Sequence, residues 1–306
     1  MSLETQLDKE GQAGESIRAN AERIGQAAAH AQAEPESKSS QLRKRTITAI
    51  VFGSIHIALI LTGRWTTVIM CATLSGFCSF ELYRMLRSDA NLPNEIIGIA
   101  TAVAYPIVYF LWHFNGILTL TLLSATTLLV WYVLYQPARF IDVALTLFGS
   151  CYTGLLLSTL IGIREIIPGL YGGILVLGVV VSVWINDAFA FLFGSKYGKH
   201  KLAPRISPNK SFEGFFAGLI GSVCVWTLLV FIPSFEIGII WAVVGGLFTG
   251  IMGILGDLVE SRIKRSTGFK DSGSLLPGHG GFLDRCDSLL VVAAVASLYF
   301  RFLGLM

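Results

Sequence analysis

Long apolar runs separated by short polar breaks dominate the chain from residue 46 onward. Runs near residues 46–63, 65–82, 96–114, 116–136, 141–161, 173–193, 215–233, 237–256 and 287–305 each have about the length that crosses a ~30 Å hydrocarbon layer as a helix. About nine transmembrane helices are therefore predicted. The breaks at Gly63/Arg64 and at 114–116 leave room only for tight hairpins between antiparallel neighbours. Composition sharpens the picture: 53% of residues are hydrophobic and 14% charged, and the mean hydropathy is +0.66. Such values exclude a water-soluble globular domain of this length. The predicted fold class is all-α, a polytopic integral membrane protein.

Basic residues in short loops are held on the cytoplasmic side and so give the orientation. Arg43, Lys44 and Arg45 precede the first run; Arg84 and Arg87 follow the second and Arg139 the fourth. Lys196, Lys199, Lys201, Arg205 and Lys210 follow the sixth; Arg262, Lys264, Arg265, Lys270 and Arg285 follow the eighth. All fall on one side if the N-terminus is cytoplasmic, while the opposite loops offer Arg64 and Arg164, with Arg301 near the far end of the last run. Residues 1–42 are polar and Ala/Gln-rich, without the apolar core of a secretory signal. They read as a disordered or loosely helical cytoplasmic tail ahead of a membrane domain, 43–306. Cys71, Cys78, Cys151 and Cys224 lie in apolar runs and Cys286 in a loop, so no disulfide framework is implied. Gly214/Gly218 and Gly246/Gly250 have the spacing of close helix contacts. No long internal repeat is visible, which argues against the duplicated halves of many secondary transporters.

Polar groups at membrane depth narrow the chemistry, because a carboxylate there costs roughly 2.5–3.5 kcal/mol on insertion scales. Asn186 and Asp187 interrupt the sixth run; Asp257 closes the eighth, and a helix would carry Glu260, Ser261 and Lys264 on its face. Asp284 and Asp287 stand one turn apart where the ninth run starts. All three groups lie toward the same side and can converge. Clustered carboxylates suit a hard cation such as Mg²⁺, held by one or two acids plus substrate phosphates. His279 has no second histidine or cysteine at zinc-ligand spacing. Lys264, Arg265, Lys270 and Arg285 surround the acids in sequence, and Gly278, Gly280 and Gly281 allow close backbone approach. Upstream, Ser207 and Pro208 are expected to make a stiff turn before Lys210, which stands near Glu213. This is the composition of a site for a divalent metal and polyanionic phosphate. The alternative, that Asp257 merely pairs with Lys264 and Asp284 with Arg285, leaves three coincident clusters unexplained.

Ser261-x-x-Lys264-Arg265, Lys270-Asp271, Pro277-Gly278-His279-Gly280-Gly281 and Asp284-Arg285-x-Asp287 together resemble the signature of the phosphatidate cytidylyltransferases, or CDP-diacylglycerol synthases. The stretch "NDAFAFLFGSKYGKHKLAPRISPNKSFEG" is similar to a second block of that family, and the resemblance covers 173–290. Cys286 stands where the family usually has an aliphatic residue, and Phe191 where it often has tyrosine; neither change removes a charge. The resemblance implies the reaction CTP + phosphatidate → CDP-diacylglycerol + pyrophosphate, dependent on Mg²⁺, at the cytoplasmic face of the membrane. It places the metal on Asp257 and Asp284, with Asp287 a further ligand or hydrogen-bond acceptor, and Asp187 as a buried acid beside it. Lys264, Arg265, Lys270 and Arg285 would bind phosphate oxygens, Ser207, Lys210 and Ser261 would touch a substrate, and His279 would orient a phosphate. CTP, phosphatidate and membrane lipid are the expected partners and no nucleic acid is. A second, monovalent cation and a homo-oligomer stay open. Rival readings are another CTP-dependent lipid enzyme, such as a polyprenol kinase or an ether-lipid cytidylyltransferase, and a cation-coupled secondary transporter.

Overall fold

A computed structural model describes residues 38–88, 90–233, 235–275 and 280–306. Met1–Ile47 and Thr48–Met306 are separate units, and every contact below lies within the second. Most of the tail, residues 1–37, is outside the described residues. The helices are α1 (Lys38–Thr62), α2 (Arg64–Leu86), α3 (Glu95–Leu134), α4 (Phe140–Ser150), α5 (Leu156–Glu165), α6 (Leu170–Tyr197), α7 (Phe212–Leu229), α8 (Ile239–Ser266) and α9 (Leu283–Phe302). A π-helical segment, Cys151–Leu155, joins α4 to α5, and two short antiparallel strands, β1 (Lys201–Ala203) and β2 (Ser207–Ser211), lie between α6 and α7.

Among the described residues six helical stretches are long and apolar enough to cross a membrane: α2, α3, α4 through α5, α6, α7 and α8. The apolar part of α1, Thr46–Thr62, is shorter, and α9 carries Asp284, Arg285, Asp287 and Arg301. Large apolar side chains such as Val133 (76% exposed) and Leu298 (65%) face outward, where a soluble protein would place polar ones. Thr67, Ser75, Ser79 and Thr153 are buried inside with Cys71, Leu82, Leu160 and Phe300.

Two runs expected to be separate appear as one 40-residue element, α3, broken at His113 (φ 49°, ψ −137°). An unbroken helix of that length would measure about 60 Å, twice a bilayer core. The chain reverses at His113 instead. Tyr105 Oη and Thr121 Oγ1 lie 2.8 Å apart, although a straight helix would separate those positions by about 24 Å. The expected hairpin is thus present, its turn made at the non-helical residue His113. Arg64 and His113 both reach Glu165, at 3.8 and 3.4 Å, and Arg301 donates to Tyr109 Oη at 3.3 Å. The turns near residues 63, 113 and 165 and the C-terminal end of α9 therefore share one end of the bundle. At the other end, the Leu92 N–H donates to Asp142 and Arg139 to Asn91.

Glycines set the closest helix approaches, as their spacing predicts. A Cβ at Gly214 would stand 2.6 Å from the Ala190 carbonyl, and one at Gly246 would stand 2.7 Å from Val223 Cα. Backbone cannot yield as a side chain would. Gly246→Leu should therefore lower the melting temperature of the detergent-solubilised protein, at about 1–3 kcal/mol for overpacking; an unchanged melt would contradict this α7–α8 contact.

Candidate active site

Helix α8 runs on past its apolar stretch and carries Asp257, Glu260, Ser261 and Lys264 on one face, at i, i+3, i+4 and i+7. Helix α9 carries Asp284 and Asp287 in its first turns. What brings the two faces together is Gly256: a Cβ there would stand 2.8 Å from the Asp287 carbonyl and 3.1 Å from Ser288 Cα. As a result, one carboxylate oxygen each from Asp257, Glu260 and Asp287 lies within 4.8 Å of the other two. Asp287 is 8% exposed and Glu260 fully buried. Glu260 finds no partner among the described residues except Lys264 Nζ, at 2.5 Å.

Lys264 also donates to Asp284 Oδ1 at 2.6 Å. The second Asp284 oxygen accepts the Ser272 N–H (3.0 Å), the Ser272 hydroxyl (3.0 Å) and the Gly281 N–H (2.9 Å). Gly280 precedes this turn with φ +81°, and a Cβ there would stand 2.8 Å from Asp284 Oδ2, so only glycine suits the position. Asp284 thus faces the centre with its oxygens engaged by Lys264 and the loop, and Glu260 joins Asp257 and Asp287 in the carboxylate trio. Glu260 was legible only as a residue sharing the face of Asp257.

From β2, Lys210 Nζ reaches Asp257 Oδ2 at 2.7 Å, and Ser261 donates to Asp257 Oδ1 at 3.2 Å. The expected turn at Ser207–Pro208 is displaced: those residues open strand β2, and the turn is Pro204–Ile206, closed by the Ile206 N–H to the Ala203 carbonyl at 3.1 Å. Pairing with β1 straightens the chain and aims Lys210 inward. Glu213 accepts from the His200 ring at 2.7 Å, while Lys210 pairs with Asp257. Cys286, expected in a loop, is buried in the first turn of α9, and all five cysteines are free thiols.

Two cavities meet at this cluster. One, of about 310 Å³, is lined by Asn209, Lys210, Ser211 and Asp257 along with Asp187, Asp284, Arg285 and Asp287. The other, of about 330 Å³, shares those last four residues and is walled by Phe52, Gly53 and Trp184. Asp187 is exposed to these spaces, which corrects the expectation that it is buried; it is Asn186 that is buried, donating to the Gly250 carbonyl at 2.9 Å. Arg265 and Lys270 are exposed outside both cavity linings, as is the half-buried Ser207. Gly281 is buried against the loop. Gly278 and His279 lie outside the described residues.

Around the centre, the carboxylates of Asp187, Asp257, Glu260, Asp284 and Asp287 face Lys210, Lys264 and Arg285. With all five ionised, they would carry two more negative charges than the three basic groups offset, the number that one divalent cation cancels. Octahedral Mg²⁺ at about 2.1 Å separates its oxygen ligands by roughly 3 to 4.2 Å, so the trio fits after a small inward shift. An all-oxygen donor set suits this hard ion and not zinc.

The profile of the cytidylyltransferase family matches residues 43–303. The phosphatidate cytidylyltransferase of Bacillus subtilis (strain 168) is 32% identical over 265 residues, covering 85% of this chain and 97% of the relative. That of Staphylococcus haemolyticus is 35% identical over 264 residues, covering 84% and 98%. That of Staphylococcus aureus (strain COL) is 33% identical over 265 residues, covering 84% and 98%.

Proposed function

The chain belongs to the cytidylyltransferase family, and from that premise we propose that it transfers the cytidylyl group of CTP to phosphatidate, yielding CDP-diacylglycerol and pyrophosphate. The observation that carries the reading is the pair of cavities that meet at Asp187, Asp284, Arg285 and Asp287. Two substrates must react at one centre. The cavity that Asn209, Lys210 and Ser211 line together with Phe191, Phe215 and Ile254 would take one substrate, and the one beside Phe52 and Trp184 the other.

An oxygen of the lipid phosphate attacks the α-phosphorus of CTP, and the bond to the β-phosphate oxygen breaks as pyrophosphate leaves with the electron pair. The nucleophile belongs to the substrate, so no reactive serine or cysteine is required, and the chain's task is positioning and charge neutralisation. Asp257, Glu260 and Asp287 would hold Mg²⁺, which when bound would supply positive charge to offset that of the substrate phosphates. Lys210 and Arg285 reach into the cavity where they can bind phosphate oxygens. Lys264 holds Glu260 and Asp284 in place. Arg265 and Lys270, exposed outside both cavity linings, would attract the anionic substrates, and His279 keeps the role of orienting a phosphate that the family signature implies.

The same reading takes α3 as two arms and counts α1 and α9 as crossings, which gives nine. Basic residues gather at the loops on the side of the centre, and this supports a cytoplasmic N-terminus and a cytoplasmic site. Incubating the purified protein with cytidine-labelled CTP, phosphatidate and Mg²⁺ should give a lipid-soluble cytidine product that fails to form when any one of the three is withheld. Transfer of the γ-phosphate alone would identify a kinase, and no lipid-soluble product would overturn the assignment.

A further inference from the structure

Glu81, on α2 and about 190 residues ahead of the signature in sequence, reaches the foundation of the same centre. Its side chain is 1% exposed, at a depth where an uncompensated carboxylate is expensive. Its partners all come from the loop and the start of α9: Oε1 accepts the Phe282 N–H at 3.1 Å, and Oε2 accepts the Leu283 N–H at 2.9 Å and the Ser272 hydroxyl at 2.8 Å. Helix N-termini leave their first N–H groups without intrahelical partners and favour a negative charge there. Here that anion comes from another transmembrane helix. One turn earlier on α2, Phe77 stacks on the Phe282 ring, with centroids 4.4 Å apart and planes 13° apart. Helix α2 thus holds both the ring and the backbone of the residue that leads into Asp284 and Asp287.

The link to the carboxylate centre is direct. The Ser272 hydroxyl lies 2.8 Å from Glu81 Oε2 and 3.0 Å from Asp284 Oδ2, and its single hydrogen can serve one of them at a time. Space is reserved for this arrangement, since a Cβ at Gly273 or Gly281 would collide with the Glu81 carboxylate. We propose that Glu81 is a positioning residue for the ion site: by fixing the first turn of α9 and Ser272, it holds Asp284 and Asp287 against Asp257 and Glu260. The inference rests on the proposed metal-binding role of Asp257, Glu260 and Asp287, and it gives the N-terminal helices a part in the chemistry beyond anchoring.

The test is Mn²⁺ binding to the purified full-length protein, followed by electron paramagnetic resonance of the metal alone, with kcat and the KM for CTP measured in parallel. Glu81→Ala should weaken Mn²⁺ binding and lower kcat about ten- to hundredfold, the usual range for residues that orient metal ligands, with a smaller change in KM. Glu81→Gln, which keeps an acceptor oxygen, should recover part of both. Ser272→Ala should move both in the same direction while leaving the Glu81 bonds to the Phe282 and Leu283 N–H groups in place, and it carries the test if Glu81→Ala fails to fold. A lower melting temperature with Mn²⁺ affinity and kcat within twofold of wild type would make Glu81 an ordinary structural cap and overturn the inference. Failure of the underlying reading looks different: either the wild-type protein binds no Mn²⁺, or Asp287→Asn binds it as well as wild type does.

Discussion

Asp287→Asn is expected to lower the rate of cytidylyl transfer by roughly a thousandfold, the scale of the several kcal/mol that a bound divalent ion contributes to stabilising a charged transition state. The same variant should be no less stable than wild type without metal, and could be more so. Asp287 is 8% exposed and shares a 4.8 Å cluster with Asp257 and Glu260, so in the absence of an ion a charge on it would be buried and repelled by its neighbours at short range. Neutralising it removes that repulsion while keeping the side chain's size, the pattern of a site that trades stability for activity. The measurements are the transfer assay and a thermal melt in a chelator. Activity within tenfold of wild type would remove Asp287 from the centre, and a large fall in melting temperature would mean that it serves packing.

The opposite pattern is expected at Lys264. Its side chain is 12% exposed and lies between Glu260, which is fully buried, and Asp284, which is 10% exposed. Breaking a buried ion pair by deleting one partner leaves an uncompensated charge and costs about 3–5 kcal/mol; here a single deletion strands two. Lys264→Met should therefore melt well below wild type, and adding Glu260→Gln should restore part of the loss by removing one stranded charge. Mg²⁺ should raise the melting temperature of the single variant, because an ion that binds only the folded chain stabilises it by mass action. A melt indistinguishable from wild type would mean that Lys264 holds nothing together.

The length of the apolar runs carried most of the fold, because lipid demands that each crossing satisfy its own backbone. It located the reversal near residues 114–116, although nothing in those residues announces that His113 makes the turn inside one helical element. Asp257, Asp284 and Asp287 were legible because acids at membrane depth need a purpose and because i, i+3 and i+4 spacing gathers them on helix faces. Their division of labour was not, since it depends on which oxygen Lys264 and Ser272 claim, a matter of a few ångströms between α8 and α9. Lys210 stood out in the sequence as the cation ahead of α7; its approach to Asp257 depends on a strand pairing that a Ser-Pro step disguises as a turn. Glu81 meets the same criterion, an acid inside the run 65–82, but nothing in the sequence names its partners, which lie about 190 residues away.

The central claim is that Asp257, Glu260 and Asp287 hold a single divalent ion beside the two cavities that Asp287 lines. Anomalous scattering from crystals of the protein grown with Mn²⁺ and CTP tests it most directly. A peak within ligand distance of all three carboxylates is the predicted result. A peak coordinated by Asp284 without Glu260, or no peak at the trio while CTP is bound, would contradict it.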